Sequence, residues 1–329
     1  MKPKNAIQSL AVILAALFAL APLAQAQDAA ANYPNRPIRV VVAFAAGGGN
    51  DIILRLIGAK MQESLGQPII VENRPGGNAI TGTDYVRTAA PDGYTLLMGA
   101  TGAMAINPSV FTKLPYNPLK DFIPLSMMVR FPLWLVTTPD LPVTSVKELL
   151  AYAKANPGKA NYATSSTPFT LSAELLKQKT GAPMEAITYK SSGESVAAVM
   201  AGQVLMTISD GAPVVPQIRA GRVRALAVTG RERNSQFPDV PTLAEAGVPG
   251  VEVYLWTGLL APAGTPPAIV KKLEAEIIKA TKSPDVAEKL KALALDVVAT
   301  TGEEYGKTIA ADIEMWTAVA KAANIKMEQ

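Results

Sequence analysis

Three consecutive glycines, Gly47, Gly48 and Gly49, stand between a β-branched run and a segment with helical spacing. Ile38, Val40, Val41 and Val42 precede them and predict a strand covered on both faces, the mark of a parallel sheet. Asn50 and Asp51 suit a helix start, and Ile52, Ile53, Leu56 and Ile57 continue at helical intervals. A strand, a glycine turn and a helix in that order aim bare N–H groups and the positive end of a helix dipole at one small volume. An anion is the natural occupant of such a junction. A plain tight turn is the alternative, and Asp51 suits either first-turn stabilisation or contact with a ligand.

The same alternation continues down the chain. After the first helix, Gly66 is a suitable cap and Pro68 a stop; PIIVENR reads as a second strand and PGGNAITG as a glycine-rich loop. TDYVRTAA is a short helix, PDGY a turn and TLLMGAT a third strand, ending in the small-residue turn of Thr101, Gly102 and Ala103. The β-α-β-α-β pattern predicts a parallel sheet with helices on its faces. Pro115, Pro118, Pro124 and Pro132 then break the rhythm and mark a domain boundary. A second α/β run starts at LWLVTTPDL and includes the capping box of Ser145 and Glu148, the hydroxyl-rich turn TSSTPFT and the strand LMTIS before Asp210. TLAEAG is expected to be a short helix capped by Thr242 and Glu245. The apolar run VEVYLWTGLLAPAG is expected to lead back into the first domain, followed by helices to the end. The expected division is residues 33–130 with 252–329 in lobe 1 and residues 131–251 in lobe 2, with the ligand cleft between them.

Residues 1–26 combine a basic start (Lys2, Lys4), an apolar segment and an AQA cleavage pattern, and predict a signal peptide cut after Ala26. A membrane anchor is the other reading, against which the apolar segment is short. Loss of Lys2 and Lys4 lowers the formal charge of +4 by two, which leaves no electrostatic case for nucleic acid. The chain has no His and no Cys, so His-dependent triads, thiol nucleophiles, disulfides and nearly all zinc sites are excluded. A dinucleotide fingerprint starting at Gly47 would need glycine at Ile52, and the lysine and hydroxyl of a P-loop are missing. Lys190 beside Ser191 and Ser192 lacks the S-x-x-K arrangement of a Ser-Lys hydrolase. No catalytic residue, metal ligand or cofactor is expected.

The motifs YPNRPIRVVVAFAAGGGND, LGQPIIVENRPGG, AAPDGYTLLMG, INPSVFTKLPYNPLKDF, ANPGKANYA, RVRALAVTG, PDVPTLAEAGVPG and LLAPAGTP occur in order along nearly the whole mature chain. They resemble the Bug-type family, the periplasmic substrate-binding proteins of tripartite tricarboxylate transporters. The resemblance implies a type II periplasmic binding protein fold, α/β in class, with two lobes and a hinge. It implies a periplasmic, monomeric receptor that captures a small organic acid and delivers it to membrane permease subunits. A ligand sensor for a signalling partner, or a secreted enzyme, is the alternative.

Carried over by motif, the carboxylate is held by backbone amides, small hydroxyls and water from facing loops. The first loop contributes Phe44, Ala46, Gly47, Gly48, Asn50 and Asp51. Thr101 and Gly102 add a turn, Ser165, Ser166, Thr167, Phe169 and Thr170 form the opposing loop, and Asp210 follows LMTIS. Tyr189 and Trp256 are either cleft aromatics or packing at the seam. Three features depart from the family pattern. Ala45 and Ala46 replace two prolines, TSSTPFT lacks the loop glycine, and the family's nearby histidine is missing. Pro168 donates no hydrogen bond, and Phe169 is bulky and apolar, which together point to an aromatic or otherwise apolar-bodied carboxylate.

Overall fold

The computed structural model describes residues 32–322. The expected signal peptide and its cleavage point lie outside the described residues. The first lobe opens with β1 (Ile38–Val42), α1 (Gly49–Leu65), β2 (Ile69–Asn73), α2 (Ile80–Arg87) and β3 (Thr95–Ala100). A π-helical turn (Gly102–Ile106) runs into the short α3 (Asn107–Val110), and β4 (Phe122–Pro132) follows. The second lobe contains β5 (Trp134–Thr137), α4 (Val146–Ala155), β6 (Asn161–Thr164), α5 (Thr167–Thr180), β7 (Glu185–Thr188), α6 (Ser192–Met200), β8 (Met206–Ser209), α7 (Gly211–Arg219) and β9 (Arg224–Val228). The chain then returns through β10 (Tyr254–Pro262), α8 (Pro267–Lys282), α9 (Pro284–Ala292), β11 (Asp296–Val297) and α10 (Gly302–Ala322).

These strands form two mixed sheets, with orders β11-β4-β10-β3-β1-β2 and β7-β6-β8-β5-β9. In the first, β1 lies parallel to β2 and β3, while β10 runs antiparallel between β3 and β4. In the second, β6 is parallel to β7 and β8, and β5 is antiparallel to β8 and β9. Helices α8 and α10 pack on β4, which explains why β4 and β10 are apolar along almost their whole length. The apolar return segment is thus a buried central strand as well as a connection.

Two local expectations need correction. The prolines before residue 133 do not merely interrupt the chain, because Pro124 and Pro132 lie within an eleven-residue strand. Pro124 sits at a register irregularity opposite Leu260, beyond the two residues where β11 pairs with β4, so its missing N–H breaks no regular ladder. TLAEAG forms a turn rather than a helix. Its capping box is made, with the Glu245 amide donating to Thr242 Oγ1 and the Thr242 amide to Glu245 Oε2. Thr242 is held beside Val228 by a parallel bridge, and Gly247 takes a left-handed φ of +90° that ends the segment after one turn.

The chain crosses between sheets at Leu133 and again between β9 and β10. Thr229 laces the two crossings. Its Oγ1 accepts from the Leu133 amide at 2.8 Å and donates to the Val253 carbonyl at 2.7 Å. Its own amide donates to Leu133 O, and its carbonyl accepts from the Val253 amide. Two adjacent extended segments, tied only to each other, are a suitable hinge.

Candidate ligand-binding cleft

The β1–α1 turn is built from its glycines. Gly47 has φ of +81°, which an L side chain rarely adopts, and Gly48 is an extended N-cap with no side chain. Asp51 braces this turn from behind. It accepts from the Gly47 amide at 3.0 Å, from Arg55 Nε at 3.0 Å and from Asn73 Nδ2 at 3.0 Å. Burial opposes its charge, but the hydrogen bonds from Arg55, Gly47 and Asn73 prevail and hold its carboxyl below the usual carboxylate range. The amides of Gly48, Gly49 and Asn50 stand at the helix start, where no intrahelical acceptor exists.

The second lobe presents three further helix starts. Ser166 caps α5 in an extended conformation, Ser191 caps α6 by accepting from the Glu194 amide, and Asp210 precedes α7. Pro168 occupies the first turn of α5, where the N–H it lacks would have no helical partner, so the loop retains its helix start. The positive ends of α1, α5, α6 and α7 therefore converge on one space between the lobes. That cavity is lined by residues from both sheets.

Part of the cavity lining is polar. Gly48, Gly49, Asn50, Thr101, Gly102, Ser165, Ser166, Ser192 and Asp210 form it. The buried Ser165 Oγ and Asp210 Oδ2 have no hydrogen-bond partner, whereas Asp210 Oδ1 accepts from Ser209 Oγ at 3.3 Å. Burial pushes the Asp210 carboxyl up, against hydrogen bonds from Ser192, its own amide and Ser209 that favour the charged form. Among the described residues no lysine or arginine lines the cavity. The other walls are Phe44, Phe131, Pro168, Phe169, Leu255 and Trp256. Trp256 is fixed by its Nε1, which donates to Asp312 Oδ2 at 2.6 Å, and by edge-on packing against Tyr305.

The lobes touch around this space. Gly49 N donates to Ser192 Oγ at 3.2 Å, Ala45 N to Lys190 O at 3.3 Å, and Thr167 Oγ1 to Asn107 Oδ1 at 2.8 Å. A Cβ on Gly102 would approach Pro168 Cδ to 2.9 Å, and one on Gly49 would overlap the Asp210 carboxylate. This is a closed arrangement.

Of the residues expected from sequence, Phe44, Gly48, Asn50, Thr101, Gly102, Ser165, Ser166, Phe169 and Asp210 line the cavity. Thr101 spends its hydroxyl on β10, donating to Trp256 O and accepting from Trp256 N. Five expected residues lie elsewhere. Ala46 and Gly47 face an outer depression beside Gly193, and Asp51 braces the turn. Thr167 bonds Asn107, and Thr170 bonds Thr164 and the Ser166 carbonyl on the far side of the loop. Tyr189 packs in the second-lobe core, while Trp256 is in the wall. Sequence reasoning placed Gly49 in the anion-binding turn, overlooked Ala100, Phe131, Ser192 and Leu255 as lining residues and treated Pro168 only as a disturbance. The KSSGES stretch repeats the strand, serine, helix-start signature of TSSTPFT and could have revealed Ser192. Phe131 and Leu255 carry no local signal, since only the strand crossing aims them inward. Among the described residues no group of three or more Asp or Glu forms a metal cluster.

The sequence matches the model of the "Tripartite tricarboxylate transporter family receptor" over residues 53–325. Protein BugT of Bordetella pertussis is 37% identical over 300 residues, covering 90% of this chain and 92% of that one. The structure of Rpa4515 from R. palustris with adipate shares 35% identity at a TM-score of 0.86, covering 91% of this chain and all of the other (100%). MatC from Rhodopseudomonas palustris with bound malate shares 34% identity at 0.83, covering 87% and 99% of the two chains.

Proposed function

The chain belongs to the tripartite tricarboxylate transporter receptor family, and from that premise we propose that it captures an apolar-bodied, aromatic organic carboxylate for delivery to membrane permease subunits. The fold is that of a periplasmic binding protein of this family, and solved relatives carry adipate and malate. The observation that carries the finer reading is the make-up of the cavity lining. Four helix starts and three serines line it together with three phenylalanines and Trp256. A carboxylate in the cavity replaces its lost water with amide and hydroxyl donors, each worth about 1.5–3 kcal/mol to a charged acceptor. Three to five such bonds with lobe closure supply the roughly 8 kcal/mol of micromolar affinity without a cation. An aromatic ring in the remaining volume gains dispersion and edge contacts that a hydrated citrate would forfeit.

Lobe 1, residues 33–130 and 252–329, and lobe 2, residues 131–251, move as two bodies about Thr229 in this reading. Closure is driven only by the ligand's preference for the closed state. The protein works as an exported, monomeric receptor after removal of residues 1–26, and performs no catalytic step. Thermal unfolding of residues 27–329 against benzoate, adipate, malate and citrate tests the ligand class. Benzoate at a hundredfold excess over its Kd should stabilise by about 2.7 kcal/mol, a rise of several degrees in Tm. Stabilisation by citrate alone would exclude the aromatic ligand, and turnover of an ester or amide would exclude a pure receptor.

A further inference from the structure

Among the described residues Asp210 is the single ionisable side chain lining the cavity, and it lies beside Ser192 and across from Gly49. It is 3% exposed, and its Oδ2 has no partner. Among the described residues no charged group faces it from the elements packed around it. On α1 the nearest acid, Asp51, is turned onto Gly47, Arg55 and Asn73. At the head of α6, Glu194 accepts from the Lys190 amide behind the cap, while Ser192 faces Asp210. On β8 the neighbour is Ser209, and Gly211 of α7 abuts the Leu293 carbonyl and Trp134 Nε1. The closed cavity thus contains an acid whose charge no cation balances.

A ligand carboxylate in the same cavity brings a second negative charge into a small, water-poor space. Two carboxylates sharing such a site cannot both ionise, and one of them retains a proton. The four helix starts offer donors that suit the ligand's carboxylate, whereas Asp210 Oδ2 lies against Gly49 with no hydrogen-bond partner. We propose that Asp210 enters the closed complex as the neutral acid and donates its hydrogen to the ligand carboxylate, so that capture of an organic anion takes up a proton from solvent. This rests on the carboxylate reading of the cleft. As the lobes close, solvent gives one proton to Asp210, and the new O–H forms a hydrogen bond to the ligand oxygen; no other bond changes. Burial, which already pushes the Asp210 carboxyl up, acts in the same direction. Specificity follows as well, since a ligand with an ammonium group would pair with ionised Asp210 and need no proton.

Titration calorimetry with adipate and benzoate, in two buffers of different ionisation enthalpy between pH 5.5 and 8.5, tests the proposal. Wild-type protein should take up close to one proton per acid bound near pH 8, with Kd rising by up to tenfold per pH unit. Asp210→Asn supplies an N–H donor without a titrating proton, and its affinity should be flat over that range. Wild-type binding that is flat and releases or takes up no proton would overturn the proposal. If neither acid binds, the carboxylate reading fails, and thermal unfolding then decides the state of Asp210. A raised carboxyl contributes stability below its unfolded value and loses it as pH rises through the folded one. Asp210→Asn should therefore gain Tm over wild type as pH rises from 4 to 8, and a constant difference would count against a neutral Asp210.

Discussion

At Gly49 a single hydrogen in place of a methyl group lets the lobes meet. The residue has ordinary helical geometry, so α1 would accept alanine there, but a Cβ would overlap the Asp210 carboxylate across the cleft. Gly49→Ala should leave the unliganded Tm within a few degrees of wild type and weaken binding of a stabilising acid by more than tenfold, about 1.4 kcal/mol or more, in calorimetry. Unchanged affinity would mean that the ligand-bound lobes do not approach as closely as here. Gly47 has a different role, since its φ of +81° shapes the turn while its surface faces outward. The triple glycine is visible in the sequence, yet the separate duties of its members depend on what stands opposite.

At the scale of elements, the local signals worked where the chemistry closes within a few residues. The box at Ser145 and Glu148 is made as expected, with Ser145 Oγ accepting from the Glu148 amide at 3.2 Å. The box before α10 likewise forms between Thr301 and Glu304. Ser145→Ala should cost about 1 kcal/mol in urea unfolding, with Gly at that position costing only a few tenths. The identical signature at Thr242 and Glu245 closes one turn and no helix, because the bridge to Val228 and the left-handed Gly247 limit its length. Helix α7 begins just after its N-cap Asp210 and contains Pro213 and Pro216, a composition that hides a helix from sequence pattern. Prolines also hid β4, whose tolerance of Pro124 rests on a register irregularity with β10. Elements whose justification lies in a neighbouring strand were the ones that escaped.

For the whole molecule, direct contacts between the lobes accompany the closed state. Thr167 Oγ1 to Asn107 Oδ1 is one of them, and Asn107 is itself anchored by Nδ2 bonds to Asn78 O and Tyr116 Oη. Opening would return both partners to water. Thr167→Val should lower the closed population by about 1 kcal/mol, raising the apparent Kd roughly fivefold while the on-pathway contacts to ligand stay intact. Small-angle scattering of the unliganded variant should show a larger radius of gyration than wild type wherever the wild type is substantially closed. An unchanged Kd and radius would assign the closed state to the contacts at Ala45 and Gly49 instead.

The sequence alone determined the α/β class, the two-lobed organisation and the glycine and hydroxyl-rich turns at the heads of helices. Those features follow from periodicity, turn chemistry and residue types, all of which act over short spans of chain. It also excluded histidine and cysteine chemistry, because absent residues can do nothing. Only the tertiary structure decided that Ala46, Gly47, Asp51, Thr167 and Thr170 stand outside the cavity while Gly49, Phe131, Ser192, Leu255 and Trp256 line it. Which side of a turn faces the cleft depends on how two separately folded sheets dock. That docking is set by the crossings laced at Thr229 and by contacts between residues more than a hundred positions apart, as at Gly49 and Ser192.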